Sequence, residues 1–125
     1  MIIDTNALSA WAERDDELLD LLPEPGALEL PVITVGEYLW GLSRSRNRQA
    51  LERWLAGVIV ATRVLAVTLA TAEAYAVVRE NVHSKGKPIP ANDTWIAALA
   101  LQHQLPVLSR DTHYDFVDGI QRVTW

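Results

Sequence analysis

Short apolar runs that alternate with helical patterns restrict the possible folds of this chain more than any other feature. Runs typical of strands lie at residues 2–3, 28–30, 64–67 and 107–108, and Val123 is expected in a last edge strand. Apolar residues recur at helical spacing between them, at residues 6–11, 15–22, 34–42, 50–58, 69–83, 92–103 and 112–117. Strands that alternate with helices form parallel sheets covered on both faces, so we expect an α/β protein with three layers, α/β/α, around a central, mostly parallel sheet.

Length and composition exclude several classes of protein. A chain of 125 residues with no internal repeat or Gly/Ser linker is expected to form a single domain over residues 1–125. It contains no cysteine, which excludes cysteine-ligated zinc, iron–sulfur clusters and thiol catalysis. The N-terminus shows no secretory signal, and Arg63 interrupts the one stretch, residues 54–72, that resembles a membrane span. We therefore expect a cytoplasmic protein with no membrane segment.

Net charge restricts how the chain could bind nucleic acid. The sequence has 11 Lys and Arg residues against 16 Asp and Glu residues, a formal net charge of −5. An acidic protein does not hold nucleic acid by its bulk charge, but it can carry a local basic patch. The residues available for such a patch are Arg44, Arg46, Arg48, Lys85, Lys87 and Arg110.

Four acidic residues lie where the ends of the predicted elements gather. Asp4 directly follows the first strand, and Asp111 comes three residues after the strand that ends at residue 108. Asp93 and Glu37 lie in the first turns of two predicted helices. In open α/β sheets the functional crevice lies at the carboxyl ends of the strands, so the four carboxylates converge if the strands before Asp4 and Asp111 are neighbours. Such an all-oxygen pocket repels itself when empty and suits a hard cation such as Mg²⁺ or Mn²⁺.

Each of these carboxylates also has a structural interpretation. Glu37 follows Thr34 at the spacing of a capping box and would then bond a backbone amide. Asp93 could complement the N-terminus of its helix, and Asp111 could cap the short helix that follows it. Asp4 is harder to explain in this way, because a carboxylate beside a buried strand is costly without a partner.

The other acidic residues near the C-terminus and the histidines are expected to be structural. Asp115 and Asp118 lie in a surface-like turn and are interpreted as solvated. His83, His103 and His113 show no spacing typical of metal ligands, so we interpret them as core or surface residues.

Four short motifs resemble those of PIN domains, in the same order along the chain. The motifs are IIDTN at residues 2–6, TVGE at 34–37, PANDTWIAA at 90–98, and LSRD at 108–111 followed by YDF at 114–116 and GI at 119–120. Any one of them is weak evidence, but four in order over nearly the whole chain are specific. With KGKPIP at residues 85–90 before the third acid, the chain looks most like the VapC toxins of bacterial and archaeal toxin–antitoxin pairs.

This resemblance implies a PIN-like fold and a Mg²⁺-dependent endoribonuclease that cleaves phosphodiester bonds with metal-activated water. Mn²⁺ is expected to substitute for Mg²⁺. A small antitoxin would hold the enzyme inactive, and the chain would form a homodimer. Carried over position by position, the acidic quartet is Asp4, Glu37, Asp93 and Asp111.

Thr5 and Asn6 are carried over from the resemblance as supporting positions. Of the basic residues available for a local patch, Arg46, Lys87 and Arg110 are expected to contact RNA, and Arg110 adjoins Asp111. Many relatives have Asn at the fourth acidic position, so that position is expected to tune the metal, and Asp115 is an alternative for its role.

Three other functions fit parts of the pattern. A receiver-like phosphoacceptor domain needs a lysine after a late strand, but no lysine follows Lys87. A phosphatase with an aspartyl nucleophile needs Asp-x-Asp, and here Asn6 stands two residues after Asp4. A non-catalytic module that binds a basic peptide in an acidic pocket stays open, as does cleavage of DNA, because no residue that reads the 2′-hydroxyl is identifiable.

Overall fold

The computed structural model describes residues 1–125, which form one five-stranded sheet with its helices. The strands are β1 (Ile2–Ile3), β2 (Glu29–Pro31), β3 (Arg63–Leu65), β4 (Val107–Leu108) and β5 (Arg122–Val123). The α-helices are α1 (Thr5–Ala12), α2 (Asp16–Leu21), α3 (Val32–Leu42), α4 (Arg48–Ala61), α5 (Leu69–Ser84) and α6 (Ala91–His103). Two 3₁₀ turns cover Pro25–Ala27 and Thr112–Phe116. The predicted alternation of strands and helices is confirmed.

The order of the strands creates a crevice beside β1. The sheet has the order β3-β2-β1-β4-β5, and every neighbouring pair is parallel. From the central strand β1 the chain winds outward to β2 and β3, and it then returns to the other side of β1 to form β4 and β5. The direction of winding therefore reverses between β1 and β4. In open α/β sheets such a reversal leaves a crevice at the carboxyl ends of the two strands.

The two residues of β1 divide the core between the two faces of the sheet. Ile3 packs in an apolar cluster with residues of α1, α3 and α4, such as Leu8 and Leu55. Ile2 packs on the opposite face with residues of α5 and α6, such as Val78 and Leu99. Because successive side chains of a strand point to opposite faces, this short strand joins both helical layers. The three-layer α/β/α architecture is confirmed.

Two helices begin earlier than the hydrophobic pattern predicts, and a proline precedes each of them. α3 begins directly after Pro31 and α6 directly after Pro90, and both prolines have extended backbone angles. A fixed φ near −65° is compatible with the start of a helix, and the missing N–H costs nothing there. Thr34 therefore lies inside the first turn of α3, where its hydroxyl donates to the carbonyl oxygen of Ile3 at 3.0 Å.

The apolar stretch at residues 54–72 forms parts of three elements. It contains the C-terminal part of α4, the whole of β3 and the start of α5, in agreement with the helix, strand and helix that the apolar pattern predicts. Arg63 donates to the carboxylate of Glu29 at 3.0 Å on the neighbouring strand. No helix of the protein combines the length and the apolar character that crossing a membrane requires.

Candidate functional site

The four acidic residues singled out in the sequence lie together at the crevice between β1 and β4. Asp4 directly follows β1, and Asp111 follows β4 by three residues. Asp93 lies in the first turn of α6, next to both. Burial is the main cause of the raised pKa of Asp93, and the negative charges of Asp111 and Glu37 raise it further. The structure thus brings together carboxylates from four separate segments of the chain.

Three donors hold the carboxylate of Asp4. It accepts hydrogen bonds from the backbone N–H of Thr5 at 2.7 Å, from Oγ of Ser109 at 2.7 Å and from Nδ2 of Asn6 at 3.3 Å. Asp4 is only 4% exposed. Burial raises the pKa of Asp4 although the bonds from Ser109 and Thr5 oppose the shift, and the charge of Asp93 adds to it. A buried carboxylate of this kind is stabilised in its charged form by a nearby cation.

Asn6 fixes the distance between the ends of β1 and β4. Its Nδ2 donates to Oγ of Ser109 at 2.9 Å, and its Oδ1 accepts from the backbone N–H of Arg110 at 3.2 Å. Both partners follow β4, whereas Asn6 lies in the first turn of α1. The segment that leads to Asp111 is therefore tied directly to the segment that carries Asp4.

Glu37 does not form the capping box that its spacing from Thr34 predicts. α3 begins at Val32, and no side chain bonds the free N–H groups at its start. The Oε1 atom of Glu37 instead accepts from the hydroxyl of Thr5 at 2.8 Å. The capping interpretation is wrong because Thr34 is turned towards the sheet, and Glu37 faces the crevice instead.

A histidine lies between two of the carboxylates. Nδ1 of His113 is 2.8 Å from Oδ2 of Asp93 and 3.0 Å from Oδ1 of Asp111. The hydrogen bond to Asp93 is the main cause of the raised pKa of His113, and the charge of Asp111 adds to it. The sequence interpretation of His113 as a core or surface residue missed this contact with the carboxylates, although the side chain is partly exposed. Asp111 also caps the following turn, as predicted, by accepting from the backbone N–H of His113 at 2.9 Å.

The hydroxyl of Tyr114 is buried beside the same carboxylates. The residue is 1% exposed, and its hydroxyl lies beside the carboxylate of Asp4 without a hydrogen bond of regular geometry. Burial raises the pKa of Tyr114, and the charges of Asp4 and Asp93 raise it further. A buried hydroxyl that is weakly paired is costly, and it adds a polar atom to the acidic cluster.

The family follows from a comparison of the whole sequence with known domains. Residues 1–120 match the PIN domain family. The chain belongs to the PIN-domain family. Ribonuclease VapC4 of Mycobacterium tuberculosis (strain ATCC 25618 / H37Rv) is 30% identical to this PIN domain over 95 residues, which are 74% of this chain and 73% of the relative. VapC ribonuclease Y4jK of Sinorhizobium fredii is 33% identical over 122 residues, 90% of this chain and 87% of the relative.

A solved structure shows the same fold. The crystal structure of VapBC2 from Rickettsia felis, bound to a DNA fragment from their promoter, superposes on this PIN domain with a TM-score of 0.85. The alignment covers 99% of this chain and 97% of that chain at 18% identity. The expected PIN-like architecture is therefore confirmed, and the sequence is VapC-like.

Two further acidic residues of the PIN domain lie outside the cluster. Asp115 pairs with Arg122 at 2.8 Å, and Asp118 pairs with Lys85. Hydrogen bonds from these cations lower the pKa of both carboxyl groups. Both side chains are exposed as predicted, but they are paired rather than simply solvated. Asp115 is already neutralised by Arg122, so the geometry favours Asp111 for the fourth acidic position.

Two of the basic residues expected to contact RNA have partners within the PIN domain. Arg110 pairs with Asp15 at 3.2 Å, and its guanidinium lies 4.5 Å from the centre of the Trp125 ring. The ammonium group of Lys87 lies 5.5 Å from the centre of the Phe116 ring. Arg110 is held by two partners, whereas Lys87 is exposed and its single aromatic contact leaves the ammonium open to solvent.

The side chains of the cluster fit a divalent cation. One ligand atom from each of Asp93, Asp111 and His113 lies within 4.8 Å of the other two. Asp4 and Glu37 are not part of this group of three, but the charges of both interact with that of Asp93. Carboxylates gathered in this way are typical of sites for hard cations.

The metal-free PIN domain is expected to lose stability as the pH rises above about 3.8, and again as it rises above about 6.5. The pKa values of Asp4 and Asp93 are raised above 3.8, and that of His113 is raised above 6.5. A raised pKa stabilises the fold below the unfolded value, and this contribution is lost as the pH rises through the folded value. Thermal unfolding in EDTA measures the effect.

Two observations check that this pH dependence arises from the site. Asp4→Asn is expected to flatten the acidic part of the profile. Three carboxyl groups outside the cluster have a lowered pKa, and they lose their contribution only below about 3.8, outside the window: Asp15, Asp115 and Asp118. A metal-free protein whose unfolding temperature rises over this pH range would contradict the prediction.

Proposed function

We propose that this chain is a Mg²⁺-dependent endoribonuclease and the toxin of a toxin–antitoxin pair. The single observation that carries the proposal is the convergence of four carboxylates, from Asp4, Glu37, Asp93 and Asp111, at the reversal point of a parallel sheet. The similarity to VapC ribonucleases supports RNA as the substrate. Mn²⁺ is expected to substitute for Mg²⁺, because both prefer carboxylate and water ligands.

In this proposal the protein fixes the carboxylates before any substrate arrives. Asp4, Asp93 and Asp111 would hold the cation, which would supply a nucleophilic water at neutral pH and stabilise charge on the phosphate. Ser109 and Asn6 hold Asp4 in place. These bonds favour the ionised form of the carboxylate, against the effect of burial, and they orient it, which lowers the cost of organising the site during the reaction.

Glu37 is proposed to orient the attacking water and to accept its proton. Thr5 engages Oε1 of Glu37, and no protein donor engages Oε2. The free oxygen is therefore available to a water molecule in the crevice. A carboxylate within hydrogen-bond reach of the nucleophile is the geometry that a general base requires.

Glu37→Gln is expected to lower RNA cleavage by about a hundredfold with little effect on stability. The amide oxygen of glutamine can still accept from Thr5, so the contact survives, but the amide cannot accept a proton. Cleavage rates and unfolding temperatures of both proteins measure the two effects. A Glu37→Gln protein that is fully active would show that Glu37 is only a structural partner of Thr5.

RNA is proposed to reach the site along Arg46 and Lys87. Arg44 and Arg46 are exposed in the turn between α3 and α4 and form no ion pair, whereas the neighbouring Arg48 pairs with Glu52 at 2.6 Å. Free cations of this kind are the ones that contribute to phosphate binding and to its dependence on salt.

Arg46→Glu is expected to weaken RNA binding in EDTA several-fold and to reduce the slope of log Kd against log salt by about one. Arg53→Glu is the matched control, since Arg53 is an exposed arginine on the neighbouring helix α4. Fluorescence anisotropy with labelled RNA at several salt concentrations measures both. Equal effects of the two variants would mean that bulk charge, rather than a local patch, governs binding.

An antitoxin is proposed to cover the crevice from the side of Glu37. A groove of about 320 Å³ lies there, lined by polar and apolar side chains that include Thr5, Glu13, Glu37 and Leu42. A basic side chain that reaches the carboxylates from this groove would form strong charge-assisted hydrogen bonds. As in the VapC resemblance, the chain is proposed to act as a homodimer.

Incubation of the purified protein with total RNA tests the proposed activity. New RNA ends are expected in Mg²⁺ and none in EDTA, and restoring Mg²⁺ should restore them. Single-stranded DNA of the same sequence should stay intact. Cleavage of DNA alone would reassign the substrate, and binding of RNA or peptide without any cleavage would favour the non-catalytic module.

A further inference from the structure

His113 lies beside two members of the acidic quartet without belonging to it. The Thr112–Phe116 turn places it two residues after Asp111, and Asp111 caps that turn. Asp93 is brought to the same place by the first turn of α6, 20 residues earlier. Nδ1 of His113 lies 2.8 Å from one carboxylate and 3.0 Å from the other. A cation between the two carboxylates is therefore within reach of a nitrogen donor.

No other contact accounts for the orientation of this ring. The side chain is 38% exposed, and the carboxylates of Asp93 and Asp111 are its only hydrogen-bond partners. The buried hydroxyl of Tyr114, which lies beside Asp4 without a hydrogen bond of regular geometry, is a second polar atom that the protein leaves weakly paired in the same crevice. The imidazole is thus directed at the position that a cation between the two carboxylates would occupy.

We propose that Nδ1 of His113 is a ligand of the divalent cation, so that the site is a mixed nitrogen–oxygen site. The inference rests on the metal site of the proposed function and adds a ligand to it. Imidazole favours the later transition metals, whereas Mg²⁺ prefers oxygen ligands. The site should therefore bind Co²⁺ more tightly, relative to Mg²⁺, than four carboxylates alone would.

His113→Asn separates a ligand from a merely structural histidine. The asparagine amide can still donate a hydrogen bond to the carboxylates, but it supplies no imidazole nitrogen. The exposed His103, in the last turn of α6, provides the matched control His103→Gln. Calorimetric titration of Co²⁺ and of Mg²⁺ gives the ratio of the two Kd values for each protein.

The preference for Co²⁺ over Mg²⁺ is expected to fall by at least about tenfold in His113→Asn. His103→Gln should keep the wild-type ratio. A second measurement uses only wild-type protein, labelled with ¹⁵N-histidine, and so does not depend on whether a variant folds. Electron spin echo spectra of bound Mn²⁺ should show coupling to that nitrogen.

Two results would overturn the assignment and would be distinguishable. In the first, the wild-type protein binds both ions and cleaves RNA with them, but it shows no nitrogen coupling, and His113→Asn has the wild-type ratio of Kd values. This result would exclude His113 as a ligand and leave the proposed function intact. Wild type that binds neither ion would remove the metal site itself, and the proposed function with it.

Discussion

Asp93→Asn is expected to abolish RNA cleavage while leaving the protein folded. Asp93 interacts with the charges of Glu37, Asp111 and Asp4, so it lies at the centre of the cluster. Removing its charge takes away both a ligand and part of the field that holds the cation. We expect cleavage in Mg²⁺ to fall by at least about a hundredfold.

The same substitution, Asp93→Asn, should not lower the stability of the metal-free protein in EDTA. Burial and neighbouring charges raise the pKa of Asp93, so its ionised form is unfavourable in the metal-free fold. Asp93→Asn is therefore expected to unfold at the same temperature as wild type or higher. Asp20→Asn, an exposed position on α2, is the control and should keep full activity. An active Asp93→Asn enzyme would remove Asp93 from the mechanism.

Mg²⁺ or Mn²⁺ is expected to raise the unfolding temperature of wild type by roughly 10 °C. Binding to the native state alone contributes RT ln(1 + [L]/Kd), about 2.7 kcal/mol at a hundredfold excess over Kd. Relief of repulsion among the carboxylates has the same sign. Thermal unfolding at increasing metal concentrations measures the shift.

Asp4→Asn shows whether this stabilisation comes from the proposed site. The variant keeps one oxygen that can accept from the backbone N–H of Thr5, but an amide nitrogen replaces the oxygen that accepts from Ser109, and the charge is lost. Its metal-dependent shift should be much smaller than that of wild type. An equal shift in both proteins would place the cation elsewhere on the chain.

The architecture and the acidic quartet could be predicted because both depend on local patterns. Apolar periodicity located the strands and helices, and the rule that crevices lie at the ends of parallel strands directed attention to Asp4 and Asp111. Their proximity required that β1 and β4 be neighbours, which the structure confirms.

The errors arose where a distant contact overrides a local motif. Thr34 and Glu37 have the spacing of a capping box, but the hydroxyl of Thr34 bonds Ile3 on β1 and Glu37 bonds Thr5. The position of His113 depends on the approach of α6, which no spacing within the chain reveals. The LSRD and YDF motifs were the available signal, since His113 lies between them, two residues after the fourth acid.

Arg110 shows that contacts on the surface of the protein are also difficult to predict from the local sequence. Its position next to Asp111 suggests a contact with the substrate, and its role there stays a prediction. The structure gives it two partners from the ends of the chain, Asp15 and Trp125. Pairs at such sequence separations follow from the fold and cannot be seen in a local pattern.

The chemistry of the RNA ends tests the central claim most directly. Cleavage in water enriched in ¹⁸O, with Mg²⁺, should place one ¹⁸O atom in each new terminal phosphate and leave no 2′,3′-cyclic phosphate, because water rather than the 2′-hydroxyl attacks. The same reaction in EDTA, or with Asp93→Asn, should give no new ends. Fragments that end in 2′,3′-cyclic phosphate, or equal cleavage in EDTA, would contradict a metal-dependent hydrolysis by the acidic cluster.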